Sequence, residues 1–320
     1  MYKFEPILKS TIWGGNRITA FKQMASAGQP IGESWELSAV PGELSIVSQG
    51  ADKGLTIVEL IDKYRDRLLG HDNYCRYGNQ FPLLVKFIDA EADLSVQVHP
   101  DDALAMQRHG TSGKTEMWYV IDATPDTKLC AGFSHRITPA EYRKMVVDGS
   151  LEQALHYEAV SAGDVFYLPA GRVHSIGAGC FIAEIQQTSD VTYRIFDYNR
   201  RDNQGNLRQL HVEEAEAAID YRPTKDAKTH YRRKKDCPVQ LVSSPYFTTS
   251  LYELTEPMEC DYTELDSFVI YICTQGAAHL VADGTEMVTI QAGETVLIPA
   301  STGTVSILPN PKTSILEVFV

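Results

Sequence analysis

Two stretches decide how this chain folds: Ser95-Val96-Gln97-Val98-His99-Pro100 and Gly113-Lys114-Thr115-Glu116-Met117-Trp118. In the first, apolar and polar residues alternate with period two. That reads as a half-buried strand with Gln97 and His99 on one face and Val96 and Val98 on the other. In the second, Glu116 opens the apolar run Met117-Trp118-Tyr119-Val120-Ile121, which reads as another strand. Further on, Leu168-Pro169-Ala170-Gly171-Arg172-Val173-His174 sets a second imidazole just after a strand and a tight turn. Any one of these polar positions alone is better explained as part of an exposed sheet face. Together, two imidazoles, one carboxylate and one amide oxygen on neighbouring strands make a nitrogen and oxygen donor set. Gln97, His99, Glu116 and His174 would suit one catalytic Zn²⁺ per chain with a position left open for water or substrate.

The length, 320 residues, allows two domains of ordinary size, each with its own core. Hydrophobic content of 43% and charged content of 22% fit a soluble globular protein. No apolar run reaches membrane-spanning length, and Met1-Tyr2-Lys3-Phe4-Glu5 lacks the apolar core of a signal peptide. Cys75, Cys130, Cys180, Cys237, Cys260 and Cys273 are far apart without a CxxC pair, so they read as reduced thiols of a cytoplasmic protein. A net charge of −13 argues against nucleic acid and anionic membranes as partners. An anionic substrate would need a local cluster of Lys and Arg.

Along the chain, Phe4 to Lys9 reads as a strand and Gly14-Gly15 as a turn. Trp35 to Ser38 alternates like a strand. Val58 to Leu69 has helical spacing and ends at Gly70. Pro82 to Ile88 is an apolar strand interrupted by Lys86, which either snorkels to the strand end or serves a function. A short helix is expected over 101–106, with His109 as a solvated helix residue at its far end. Thr138-Pro139-Ala140-Glu141 is a capping box opening a helix through Val147, and Leu151 to His156 adds a further turn or two. His135 and His156 fall outside any metal-like spacing. Cys180 to Gln186 reads as a strand. Between Asn199 and Lys235 the chain turns polar, with one acidic helix over 212–219 and a solvated basic run, Arg232 to Lys235. The domain boundary is expected there, dividing residues 1–225 from 226–320. Beyond Pro238 the chain reads as strand after strand. Gly163 and Pro169-Ala170 recur as Gly293 and Pro299-Ala300, with Thr304 in the place of His174, so one copy keeps the fold element without the ligand.

The glycine-bounded strand ending in Pro, then a turn and a His, resembles the second motif of the cupin β-barrel. Gln97-x-His99-Pro100 and Lys114-Thr115-Glu116 are more specific. With Ile12-Trp13-Gly14-Gly15, Gly32-Glu33-Ser34-Trp35-Glu36 and Asp190-Val191-Thr192-Tyr193-Arg194, they make the chain resemble the zinc-dependent phosphomannose isomerases in their short bacterial form. The resemblance implies a mainly β fold of two cupin-like jelly-roll barrels, the first carrying a few short helices. It implies interconversion of mannose 6-phosphate and fructose 6-phosphate through a cis-enediol, with a small sugar phosphate as partner. The family's zinc ligands fall on Gln97, His99, Glu116 and His174. Its active-site arginine falls on Arg194, and its lysines near the sugar on Lys114 and Lys86. A hydroxyl implicated in phosphate binding falls on Ser95, and Arg200 stands where some members carry a phosphate-binding lysine. Longer relatives have a ring-opening His where Gly113 stands here.

The isomerisation needs a base that reaches both C1 and C2, for which Lys86, Lys114 and Asp190 are the candidates, and a cation for the growing negative charge, for which Arg194 is suited, while Ser95, Lys86 and Lys114 would hold the phosphate. Two other readings share the scaffold: an Fe²⁺ cupin oxygenase, from the two His and one Glu, and a silent sugar-phosphate sensor. The sequence leaves oligomeric state and pathway direction open.

Overall fold

The computed structural model describes residues 1–25, 28–201 and 205–320. Three larger antiparallel sheets dominate it. The first runs in the order Ile7–Lys9, Glu33–Leu37, Leu83–Ala90, Cys180–Gln187, Glu116–Ala123 and Val165–Leu168. The second runs Tyr193–Phe196, Val96–Val98, His174–Ile176, Lys128–Phe133 and Leu155–Ala159. The third, within 238–319, is built on two long strands, Val269–Ala282 and Thr304–Phe319, which pair with each other along most of their length. The expected mainly β architecture is present.

The apolar strands are explained by what covers them. Leu83–Ala90 and Cys180–Gln187 are buried at every position. Leu83, Val85, Phe87, Phe181, Ala183 and Ile185 turn one way, onto the helices of residues 57–69 and the third sheet's Ile270, Ile272, Leu316 and Val318. Ile88, Ala90, Cys180 and Ile182 turn the other way and meet Leu129, Ala131 and Ile176 of the second sheet. The first sheet is thus the middle layer, and the apolar residues of its central strands are covered on both faces. On the far side of the second sheet, Val96, Val98 and Phe133 pack against Tyr142 and Ala215 of the helices Pro139–Asp148 and Val212–Ala218.

Both copies of the internal repeat form the same element. Gly163 and Gly293 take positive φ, 90° and 86°, and each leads into a four-residue strand, Val165–Leu168 or Thr295–Ile298. The capping box at Thr138 and Glu141 is formed, and Asp101 caps Asp102–His109. Two expectations need correction. The single helix ending at Gly70 is broken at Arg65, whose φ is 52°, into Ile57–Tyr64 and Asp66–Leu69, and Gly70 is followed by a further helix, His71–Tyr77. The cause is tertiary: Phe268, Ala300 and Ser301 donate backbone hydrogen bonds to the carbonyls of Leu69, Leu68 and Arg67, docking the broken turn on the third sheet. After the helix Pro139–Asp148 the chain makes one 3₁₀ turn, Leu151–Ala154, and Leu155–Ala159 then joins the second sheet as an edge strand.

Candidate active site

Each of the two facing sheets lays a row of side chains across its strands. In the second sheet, Arg194, Gln97 and His174 are successive cross-strand partners. In the first, Trp35, Lys86, Glu184 and Trp118 form the matching row. Cross-strand partners share a face, and Glu116, two residues before Trp118, shares it too. The strand ladders therefore bring residues from distant parts of the chain into one space.

His99, Glu116 and His174 are all buried there. His99 Nδ1 lies 3.0 Å from the Val191 carbonyl oxygen and His174 Nδ1 2.8 Å from that of Arg172. A carbonyl only accepts, so each neutral ring keeps its proton on Nδ1 and presents a bare Nε2. Those two atoms converge on one carboxylate: His174 Nε2 is 3.2 Å from Glu116 Oε1 and His99 Nε2 is 3.5 Å from Oε2. Lys114 Nζ stands 3.1 Å from Oε2. Neither Glu116 oxygen accepts a well-directed hydrogen bond, and His99 Nε2 makes none. Buried acceptors crowded together without donors are costly unless a cation joins them. The donor set fits a metal ion, since the three residues offer ligand atoms within 4.8 Å of one another. The Gln97 amide nitrogen lies 3.3 Å from His174 Nε2, so the amide is at hand as a fourth group.

Protonation follows burial and charge. Burial pushes the Glu116 carboxyl up to about 7 against the pull of Lys114, and drives His174 down to about 4. His99 falls well below the usual imidazole value through burial and the positive charge of Lys114. Glu184 behaves oppositely. Burial raises it, but Lys86, Lys114 and the Trp118 N–H together outweigh burial and hold it down to about 2. Lys86, for which burial favours the neutral amine, is nonetheless raised by Glu184 and Glu33. Lys86 is a fixed cation, the reverse of what an amine base requires.

Above these groups opens a cavity of about 930 Å³. Lys86, Ser95, Gln97, Lys114, Asp190 and Arg194 all line it, so the structure brings these sequence candidates together. Ser95 Oγ accepts a hydrogen bond from Arg194 Nε at 3.3 Å. Arg200 does not join them: its guanidinium donates to the Asp93 carbonyl and pairs with Asp197, outside the cavity lining. Arg208, a residue sequence reasoning passed over, lines the cavity. Glu184 was passed over as well, although it carried a signal: it is a single charge in a strand otherwise apolar up to its last two residues, as Lys86 is in the run from Pro82 to Ile88. Gly113 is explained by space. A Cβ there would lie 2.5 Å from the Asp101 carbonyl carbon and 2.6 Å from the Asp102 nitrogen, so no side chain fits.

Known proteins resemble this chain in sequence and in fold. A family model described as the phosphomannose isomerase type I catalytic domain matches residues 1–142, and one described as the mannose-6-phosphate isomerase cupin domain matches residues 239–312. A mannose-6-phosphate isomerase of Streptococcus mutans is 35% identical over 289 residues, covering 90% of this chain and 89% of that protein. The crystal structure of the mannose 6-phosphate isomerase from Bacillus subtilis matches with a TM-score of 0.89 at 28% identity, over 100% of this chain and 99% of that one. A structure of mannose 6-phosphate isomerase bound with zinc and yttrium shares the fold, with a TM-score of 0.78 at 17% identity over 100% of this chain and 99% of that one. With the likeness extending over nearly its whole length, the chain belongs to the mannose-6-phosphate isomerase family and is an isomerase.

Proposed function

We propose that the enzyme interconverts mannose 6-phosphate and fructose 6-phosphate through a cis-enediol, with one Zn²⁺ held by Gln97, His99, Glu116 and His174. The observation that carries the metal assignment is Glu116: a buried carboxylate without a well-directed donor, faced by two bare imidazole nitrogens. The mannose 6-phosphate isomerase of the same fold that is bound with zinc and yttrium supports the choice of ion. Bound there, the ion supplies Lewis acidity toward a sugar oxygen.

The protein's own groups divide the remaining work. Three carboxylates line the cavity: Glu33, Glu184 and Asp190. Glu33 and Glu184 are held by Lys86, at 3.7 and 3.1 Å. Asp190 is exposed on the wall and makes no ion pair among the described residues, so we assign it the proton transfer between C2 and C1. Arg194 lies on the same wall, where a guanidinium can stabilise the enediolate oxygens. Lys86 and Lys114 keep the floor positive toward the sugar, and Ser95 steadies Arg194. We divide the chain into a metal-holding unit, residues 1–225, and a C-terminal β unit, residues 226–320, without a counterpart to His174.

A coupled assay for conversion of mannose 6-phosphate tests this on as-purified, chelator-stripped and Zn²⁺-restored protein, beside His174→Ala. Activity should vanish with the metal and return with it. Folded, metal-loaded protein without activity would overturn the reading.

A further inference from the structure

Within the function proposed above, we propose that the substrate phosphate is gripped by Arg208, beside the Arg194 assigned to the enediolate oxygens, and that Asp197 is the positioning residue that sets Arg208 in place. The two active-site lysines already have partners. Lys86 Nζ lies 3.1 Å from Glu184 and 3.7 Å from Glu33, and Lys114 Nζ lies 3.1 Å from Glu116. Both are tied down near the proposed metal donors, which leaves the arginine end of the cavity for a dianion.

Arg208 reaches that end through backbone ties. The strand Tyr193–Phe196 is fastened to residues 209–211 by three hydrogen bonds: His211 N donates to Arg194 O at 2.7 Å, Arg194 N to His211 Nδ1 at 3.2 Å, and Arg194 Nη1 to Gln209 O at 2.9 Å. The segment preceding Gln209 is thereby held beside Arg194, and both Arg194 and Arg208 line the cavity. Asp197 then sorts the arginines. It is buried, and its Oδ1 takes Arg208 Nη1 at 3.2 Å and Arg200 Nη2 at 2.5 Å. Arg200 is drawn away from the cavity by the Asp93 carbonyl and the Tyr198 ring, 5.2 Å from its guanidinium carbon. Arg208 stays on the cavity side.

Among the described residues, Asp197 is the one carboxylate in ion-pair contact with Arg194, Arg200 or Arg208. Three guanidinium groups around one carboxylate repel one another, and a phosphate dianion relieves that repulsion. The planar fork of an arginine also matches two phosphoryl oxygens at once, which a lysine cannot do.

The test uses full-length, metal-loaded enzyme and the variants Arg208→Ala, Arg208→Lys, Asp197→Asn and Asp197→Asn/Arg208→Ala. Calorimetry reads the Kd for mannose 6-phosphate and for inorganic phosphate, and kinetics reads KM and kcat. Arg208→Ala should weaken both ligands by about 10- to 100-fold, with more of the loss in KM than in kcat. Arg208→Lys, which keeps the charge without the fork, should lose several-fold and serves if the alanine variant does not fold. Asp197→Asn should weaken both ligands less, and should add nothing on the Arg208→Ala background, because it acts through Arg208. Wild-type affinity in both Arg208 variants, or losses that simply add in the double variant, would overturn the assignment. The expected phosphate-binding pattern in an enzyme that fails to isomerise mannose 6-phosphate would keep the anion site and reject the reaction.

Discussion

Gln97 and His174 stand directly opposite each other on antiparallel strands, with the amide nitrogen of one 3.3 Å from Nε2 of the other. Neither is near the other in the chain, and neither strand is longer than three residues. A single ladder pair thus joins the two halves of the proposed metal site. His174→Ala removes one donor and leaves Glu116 facing a void. Metal content by elemental analysis should drop below about a tenth of wild type, and kcat by about 10³-fold, since outer partners alone change affinity 10- to 100-fold.

Metal binding should expel a proton in a pH-dependent way. With Glu116 raised to about 7 and His174 lowered to about 4, the metal-free site at pH 6 carries its proton on the carboxyl and none on His174. A divalent cation must displace that proton, because only the carboxylate ligates. Calorimetric titration in buffers of different ionisation enthalpy should report release of about one proton at pH 6 and close to none at pH 8. Equal release at both would contradict the raised carboxyl.

The Lys86 and Glu184 pair should be costly to halve and tolerable to remove. Lys86→Met leaves the Glu184 carboxylate buried without its principal partner, which should cost about 3–5 kcal/mol in urea denaturation. Adding Glu184→Gln should recover most of that stability. Activity should stay absent in the double variant, separating the lysine's part in the reaction from its part in folding.

Gly113 should tolerate no side chain. Its nitrogen donates to Asp102 Oδ1 at 2.8 Å, and a Cβ would press on the backbone of residues 100–102. Gly113→Ala should therefore lower stability by about 2 kcal/mol and displace Lys114, with a loss of kcat alongside the fall in Tm. A wild-type melting curve would show that the turn can open at no cost. The same crowding leaves no room for a histidine at this position.

Much of the site was legible because strand periodicity decides which side chains share a face. Gln97 with His99, Glu116 within an apolar run and Lys86 alone in another are all local signals, and all of these residues reach one site. The break at Arg65 was not legible, since nothing in residues 58–69 forbids one continuous helix. Its cause is hydrogen bonding to residues 268, 300 and 301, far along the chain. Glu184 was within reach of the rule that singled out Lys86.

The local pattern of residues by itself determined the strands, the capped helices, the repeated glycine-bounded element and the four donors proposed for the metal. Tertiary structure alone decided whether Arg200 or Arg208 lines the cavity. Arg200 and Arg208 are similar residues in the same polar stretch, and no periodicity separates them. The buried Asp197 carboxylate does: it holds both, while the Asp93 carbonyl and Tyr198 claim Arg200 and the ties at Gln209 and His211 keep Arg208 on the cavity side. Long-range pairing of charges made that choice, and its energy comes from partners that adjoin only once the two sheets have closed on each other.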